Sequence, residues 1–368
     1  MDQERYSRQL ILKGFGAEAQ QKLIEARVLV LGAGGLGCPI LQYLAAAGIG
    51  EIGMVDDDTV SLSNLHRQIL FDTTDIGKPK VQVAAQKLRV MNPDISVKDY
   101  YIRLDKNNVL DIIESYDLVI DSTDNFESRY LINDACALLQ KPLVFAAVSG
   151  FEGQLAIFNV KDKQGVATNY RDLFPIPPKA GEVQNCAENG VLGVLPGIIG
   201  TMAVAETIKL ITGIGQPLIN KLLHYHSLTH SQYELNILAG SNYDLSKSKA
   251  DFLMMYNEQS GATASVFEEI DVEQMQLLQK QESVLVIDVR EKHEFPILNK
   301  EIYQQVPMSE FGTFLQNNIE ANQIVLLCQH GIRSVTAAEL LHEKYGHTKK
   351  IYSLKGGISK WRNHFLKK

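Results

Sequence analysis

Apolar residues in this chain fall into short unbroken runs, separated by stretches where they recur at helical spacing. Arg27 to Leu31 (RVLVL) reads as a strand buried on both faces. The loop Gly32-Ala33-Gly34-Gly35-Leu36-Gly37 follows at once, then a helix from Cys38 to Ala47, stopped by Gly48 and Gly50. Ile52 to Val55 is the next apolar run and ends at Asp56. The alternation continues with a helix from Lys80 to Met91 and strands around Ser96 to Tyr101, Asp117 to Ile120, Leu143 to Val148 and Gln154 to Asn159. Strand and helix in turn build a parallel sheet with helices on both faces, so the expected class is α/β.

Between Gly240 and Ser265 the pattern lapses into SNYDLSKSKA and QSGATAS, a polar connector interrupted by the apolar Phe252 to Tyr256, expected to dock on one domain. A second alternation then begins: strands Val284 to Val289 and Ile324 to Leu327, a helix Ser334 to Tyr345 stopped by Gly346, and a last helix after Gly356-Gly357. The division is therefore a domain over 1–240, a linker over 241–265 and a smaller α/β domain over 266–368, in keeping with a length of 368 residues. No internal repeat or low-complexity tract interrupts it.

Composition narrows the classes. A net charge of −7 argues against non-specific nucleic-acid binding, which needs basic surface to displace counterions. Cys38, Cys136, Cys186 and Cys328 are scattered without paired spacing, which fits a reducing compartment. Cys38 and Cys136 sit on helical apolar patterns and read as packing residues. The polar start MDQERYSRQL is unlike a signal peptide. The most apolar stretch, Val191 to Ala205, is short and broken by Gly193, Pro196, Gly197 and Gly200, so it reads as a buried loop and helix. A cytoplasmic protein with no membrane partner is expected.

A lone Gly-x-Gly-x-x-Gly is a weak signal, but here it follows a strand, opens a helix and precedes a strand ending in an acid. Gly32, Gly34, Gly35 and Gly37 let backbone N–H groups approach phosphate oxygens, and the helix N-terminus adds a favourable field. Asp56 is placed to accept from ribose hydroxyls. That context leaves a dinucleotide and ATP both open. Arg67, Lys80 and the turn Asp121-Ser122-Thr123-Asp124-Asn125 add fixed cations and a strand-end carboxylate, more polarity than hydride transfer needs.

Arg5-Tyr6-Ser7-Arg8-Gln9-Leu10, the glycine loop, Asp56 to Gln68 (DDDTVSLSNLHRQ), Gly77-Lys78-Pro79-Lys80 and Asp121 to Asn125 together resemble the MoeB/ThiF-type adenylyltransferases, bacterial relatives of ubiquitin-activating enzymes. The resemblance covers roughly residues 1 to 240. It implies a Rossmann-like, doubly wound sheet. It also implies adenylation by ATP of the C-terminal glycine of a ubiquitin-like sulfur carrier ending in Gly-Gly (MoaD/ThiS type), and a homodimer. Carried over residue by residue, Arg67 and Lys80 stabilise phosphate oxygens, Asn64 and Asn125 help hold the nucleotide, and Asp124 coordinates Mg²⁺. Arg8 reaches the partner subunit's nucleotide as an arginine finger. Many members bind structural zinc through two Cys-x-x-Cys pairs. This chain has Asn169-Tyr170-Arg171-Asp172 at the first place and no cysteine pair after Tyr233, so no structural zinc is expected, and His224, His226 and His230 alone do not suggest one. Cys186, in NCAENG, matches a cysteine on a mobile crossover segment that links covalently to the activated carrier.

The second reactive loop is Cys328-Gln329-His330-Gly331-Ile332-Arg333, between a strand and a helix. Its N–H groups and the helix terminus suit a thiolate, and Arg333 adds positive charge. With Ile287-Asp288-Val289-Arg290-Glu291 and Leu354-Lys355-Gly356-Gly357-Ile358 before Trp361, it resembles a single-domain rhodanese over about 268–368. The stretch after Phe295 (PILNKEIYQQVPM) lacks the usual Gly-His-Ile-Pro-Gly-Ala. The resemblance implies a persulfide on Cys328, filled by a donor such as a cysteine desulfurase or thiosulfate, that attacks the acyl-adenylate. The fusion is similar to molybdopterin-synthase sulfurylases, which points to molybdopterin- or thiamine-type sulfur pathways. Two rivals come from other classes. An NAD-dependent oxidoreductase has no use for Arg8 or Lys80, and a non-catalytic scaffold for a ubiquitin-like partner has none for Arg67, Lys80, Asp124 and Cys328.

Overall fold

The computed structural model describes residues 3–178, 190–240, 246–261, 267–281, 283–292, 294–329 and 331–365. The described residues fall into two units, the first running to Pro177 and resuming up to Asn257, the second from Glu258 onwards.

In the first unit, strands β1 (Arg27–Leu31), β2 (Glu51–Val55), β3 (Ser96–Tyr100), β4 (Leu118–Asp121), β5 (Leu143–Ser149), β6 (Glu152–Phe158), β7 (Lys221–His226) and β8 (Ser231–Asn236) form one sheet in the order β3-β2-β1-β4-β5-β6-β7-β8. From β3 to β5 the pairing is parallel, and from β5 to β8 antiparallel. The period of two explains the apolar runs. Val28 and Val30 of β1 join one core, while Leu29 and Leu31 join the core on the other face. Helices Gly37–Ala47 and Lys80–Met91 cover the first face, and helices Val109–Glu114 and Phe126–Leu138 the second.

The stretch from Val191 to Ala205 is a loop followed by a helix, as the sequence suggests, with the helix starting at Leu195. Leu195–Thr212 is one helix, with Pro196 in its first turn, where a missing N–H costs nothing. By length and composition alone it could cross a membrane, but half of it is buried against helix Gly37–Ala47 and strands β5 and β6. Gly200 is required by that approach: a Cβ there would lie 2.8 Å from Pro39 Cγ and 2.9 Å from Leu36 O.

The connector contains a helix, Lys249–Gly261, whose residues up to Asn257 belong to the first unit. Phe252 is fully buried in its second core, Lys249 pairs with Asp111 at 2.6 Å, and Tyr256 Oη donates to Asp134 Oδ2 at 2.7 Å. Asp134 belongs to a polar network that occupies the Asn169–Asp172 segment. Arg171 Nε and Nη2 each reach an Asp134 oxygen at 2.7 Å, with both side chains wholly buried. Asn169 caps the short helix Tyr170–Leu173, and Asp172 Oδ1 accepts from Gly240 N at 3.1 Å. Asp134→Ala strips the buried guanidinium of its counter-ion, so we expect a loss of about 3–5 kcal/mol in denaturant unfolding of the first unit.

The second unit repeats the logic on a smaller scale. Strands β9 (Glu268–Ile270), β10 (Val284–Asp288), β11 (Gln304–Gln305), β12 (Gln323–Leu327) and β13 (Lys350–Leu354) form an all-parallel sheet, ordered β11-β10-β12-β13-β9. Ile324 and Leu326 face one core, and Val325 and Leu327 the other.

Candidate active sites

Strand order reverses at β1, which lies between β2 and β4, so the loop after β1 and the turn after β4 open side by side. Such a switch point is where ligands bind in open α/β sheets. Ser122 joins the two: its Oγ donates to Leu31 O at 2.7 Å and Gly32 O at 2.9 Å. Gly32 adopts φ +98°, and a Cβ on Gly37 would fall 2.0 Å from Gly32 O, so both positions need glycine. Gly34 and Gly35 line the open side. A Cβ on Gly35 would sit 3.4 Å from Arg67 Cγ, and one on Gly34 3.8 Å from Gln68 Nε2.

Apart from Arg8 and Cys186, the predicted site residues of the first unit lie on the segments around this loop. Asp56 accepts from Ala33 N at 2.7 Å and Asp58 N at 2.8 Å, one N–H on each oxygen, and so braces the glycine loop directly. Burial pushes its carboxyl above the usual range, while Lys80 pulls the other way. Asn125 caps helix Phe126–Leu138 by accepting from Ser128 N at 2.8 Å. Lys80 is buried and pairs with the exposed Asp58 at 2.8 Å. Burial disfavours its charge, but Asp56, Asp58 and Asp124 outweigh that and hold its pKa above the ordinary lysine value. Arg67 Nη1 donates to Ser63 O at 3.2 Å, and the Asn64 carbonyl accepts the N–H groups of Arg67 and Gln68. Asp121 is buried and orders the turn by accepting from Thr123 N and Oγ1 at 2.9 and 2.7 Å, and Arg129 Nη2 holds Thr123 O at 3.2 Å.

Arg8 lies apart from this cluster. It is exposed on helix Ser7–Leu10, and the neighbouring Tyr6 is buried against Gly48, at the far end of helix Gly37–Ala47. Eleven residues at 1.5 Å rise put about 16 Å between that end and the glycine loop. An arginine side chain does not span that distance within one chain. Cys186 lies outside the described residues.

In the second unit the Cys328 loop is built as a cradle. Gly331 N donates to Cys328 Sγ at 3.1 Å, and Gly331 takes φ +88° to open helix Ile332–Tyr345. Gly357 packs beneath; a Cβ there would meet Cys328 O at 2.5 Å. Ile358 N and Ser359 N hold the carbonyls of Cys328 and Gln329 at 2.9 Å. Ser334 Oγ lies 3.6 Å from Cys328 Sγ and receives Ser353 Oγ at 2.9 Å. Arg333 forms a two-pronged pair with Glu294.

Sequence reasoning gave no role to Ser122, Asp58, Gln68, Arg129 and Glu294, although Ser122, Asp58 and Gln68 lie inside the motifs that it singled out. Gln68 closes the motif that begins at Asp56. It is buried, and its Oε1 has no hydrogen-bond partner among the described residues. No group of three or more His, Cys, Asp or Glu side chains among the described residues is placed to hold a metal ion. His226 and His230 bond instead to Thr229 and Tyr225.

The ThiF family profile matches residues 6–245, and the rhodanese-like domain profile residues 271–364. A sulfur carrier protein adenylyltransferase of Thermus thermophilus is 50% identical over 64% of this chain and 87% of its own length. A probable adenylyltransferase/sulfurtransferase MoeZ of Mycobacterium tuberculosis is 40% identical over 97% of this chain and 92% of its own. The adenylyltransferase and sulfurtransferase MOCS3 of Arabidopsis thaliana is 36% identical over 97% and 82%. Among solved structures, Escherichia coli MccB with ATP shares the fold at a TM-score of 0.56 and 24% identity, over 66% of this chain and 73% of that one. The chain therefore belongs to the ThiF family and carries a C-terminal rhodanese-like domain, the arrangement shared by the adenylyltransferase/sulfurtransferases it matches along nearly its whole length.

Proposed function

We propose that the first unit adenylates the C-terminal glycine of a ubiquitin-like sulfur carrier with ATP, and that the second supplies sulfur through Cys328 to make a thiocarboxylate. The observation that carries this reading is the convergence of the glycine cradle, Arg67, Lys80 and Asp124 on one switch point. The carrier carboxylate attacks the α-phosphorus, forming the acyl–phosphate bond as pyrophosphate leaves. Lys80 and Arg67 neutralise the charge that collects on phosphate oxygens, and loop N–H groups bind the rest. Asp124 fits as an oxygen ligand of Mg²⁺, because its neighbour Asp121 is already spent on Thr123; Mg²⁺ would neutralise and align the phosphates. A persulfide on Cys328 then attacks the acyl carbon, AMP leaves with its electron pair, and an acyl-disulfide results. A thiolate, assigned to Cys186, cleaves that disulfide at the Cys328 sulfur and releases the thiocarboxylate. The test is ATP–pyrophosphate exchange: it should require a Gly-Gly-ending carrier, and its absence with every such carrier would defeat the proposal.

The anchorage of Tyr6 favours Arg8 serving a second copy of this chain in a homodimer. Arg8→Ala and Lys80→Ala proteins are each expected to be nearly inactive in exchange. Mixed and re-equilibrated, they should regain about a quarter of normal activity, from sites that combine an intact Arg8 with an intact Lys80. No recovery on mixing would assign Arg8 to some other task.

A further inference from the structure

Three guanidinium groups are buried among the described residues, and two of them are two-pronged on a carboxylate: Arg171 on Asp134, and Arg290 on Asp288. Arg129 is the exception. It lies buried on helix Phe126–Leu138, forms no ion pair among the described residues, and its Nε has no hydrogen-bond partner there. The guanidinium rests over two aromatic rings instead, 5.3 Å from the Phe126 centroid and 5.6 Å from that of Phe145. Its polar contacts are Thr123 O, which accepts from Nη2 at 3.2 Å, and the Tyr170 phenol. Burying a charge without a direct counter-charge costs stability, so an apolar side chain would be the more stable occupant of this space. The charge and its donors therefore need a use nearby.

That use is the turn after β4. The Thr123 carbonyl belongs to the peptide that leads into Asp124, so the guanidinium fixes the plane of that peptide. On the far side of Asp124, Arg129 N donates to Asn125 O at 3.3 Å. Asp121 grips the near side, accepting from Thr123 N and Oγ1 at 2.9 and 2.7 Å. Burial pushes the Asp121 carboxyl above its ordinary range, and Arg129 is the strongest influence in the opposite direction. Asp124 itself is exposed, and its side chain makes no hydrogen bond or ion pair among the described residues, so its backbone alone sets where it points.

We propose that Arg129 is a positioning residue for adenylation: spread over two rings with no carboxylate of its own, it holds the Thr123 carbonyl and so aims Asp124 at the divalent cation of the metal–ATP substrate. This rests on the assignment of Asp124 to Mg²⁺ made above. A carboxylate on a turn free to rock binds a cation weakly, because side chain and backbone both have to be ordered when the metal arrives. Fixing the peptide beforehand removes the backbone share of that cost. Lys80 and Arg67 lie on other segments, so nucleotide binding without metal does not depend on this turn.

The experiment measures ATP affinity of the full chain by equilibrium dialysis, with Mn²⁺ and with no divalent cation, in wild type, Asp124→Asn, Arg129→Met and Arg129→Lys. Mn²⁺ should tighten ATP by about tenfold or more in wild type, and by less than about twofold in Asp124→Asn. Arg129→Met keeps the length and the ring contacts without charge or donors. It should lose most of the metal effect, while metal-free ATP affinity stays within about twofold of wild type. Arg129→Lys keeps the charge without the planar fork, and should retain only part of the effect. In pyrophosphate exchange at saturating ATP, Arg129→Met should need about tenfold more Mg²⁺ for half its maximal rate. Should Arg129→Met fail to fold, Arg129→Lys decides by the same ratio of affinities. A metal effect as large as that of wild type, or an equal fall in ATP affinity with and without metal, would overturn the proposal. No metal effect in wild type, or one that survives in Asp124→Asn, would instead defeat the reading of Asp124 beneath it.

Discussion

Replacing Cys328 by alanine will abolish sulfur transfer and leave ATP–pyrophosphate exchange within about twofold of normal, since the nucleophile has no substitute on its loop. Cys328 is buried at the end of β12, and its backbone is gripped by Ile358 N and Gly357 from below. Alanine fits that space with the loss of one sulfur atom, so the cradle keeps its shape and only the reactive atom goes. The residues proposed for adenylation lie in the other unit, with its own two cores. Carrier incubated with the variant, ATP and a sulfur donor should accumulate as acyl-adenylate and gain no sulfur by mass. Equal loss of both activities would contradict two separable chemistries. A contrasting substitution, Gly357→Ala, should damage the loop itself, because its Cβ would collide with Cys328 O and with Gly331 N at 2.6 Å. Here the second unit should lose stability as well as sulfur transfer.

How much of this was legible beforehand depended on where the apolar residues sit. Strands such as β1 and β12, buried on both faces, announce themselves as unbroken runs, and the loops after them carry the chemistry. Strand β8 was invisible because it is a solvent-exposed edge strand, SQYELN, with no buried face to pattern it. Helix Phe126–Leu138 was missed for the opposite reason: Arg129, Asn133 and Asp134 are buried polar residues on it, so its inner face does not read as apolar. Glycines in helix Leu195–Thr212 looked like breaks because sequence cannot tell a flexible residue from one that admits a neighbouring helix. At the sites, local motifs found the loops but not what controls them. Glu294 is 39 positions from Arg333, and Asp58 is 22 from Lys80; only folding makes these pairs. The backbone N–H groups that Asp56 and Asn125 accept were likewise out of reach of the sequence, because they depend on the folded loop and helix start.

The Asp58 pairing bears on the largest loss expected in the first unit. Lys80→Ala should lower pyrophosphate exchange by about a thousandfold or more, in the range lost when a positioned cation or oxyanion donor is removed from a phosphoryl site. The ammonium is buried and balances Asp56, Asp58 and Asp124. Without it, the incoming phosphates would meet three carboxylates and one fewer counter-charge, so binding and the transition state should both suffer. The fall should appear in kcat, with a rise in KM for ATP. Lys80→Arg keeps the charge but not the compact ammonium, and should recover only part of the loss. In the resting protein Asp58 competes with phosphate for Lys80, from a side chain that is 71% exposed and free to swing away. Asp58→Asn should therefore tighten ATP, lowering its KM by about two- to fivefold, while exchange at saturation changes little. If Lys80→Ala kept near-normal exchange, the phosphates would have to lie elsewhere, and the cluster at the switch point would be a structural ion-pair network.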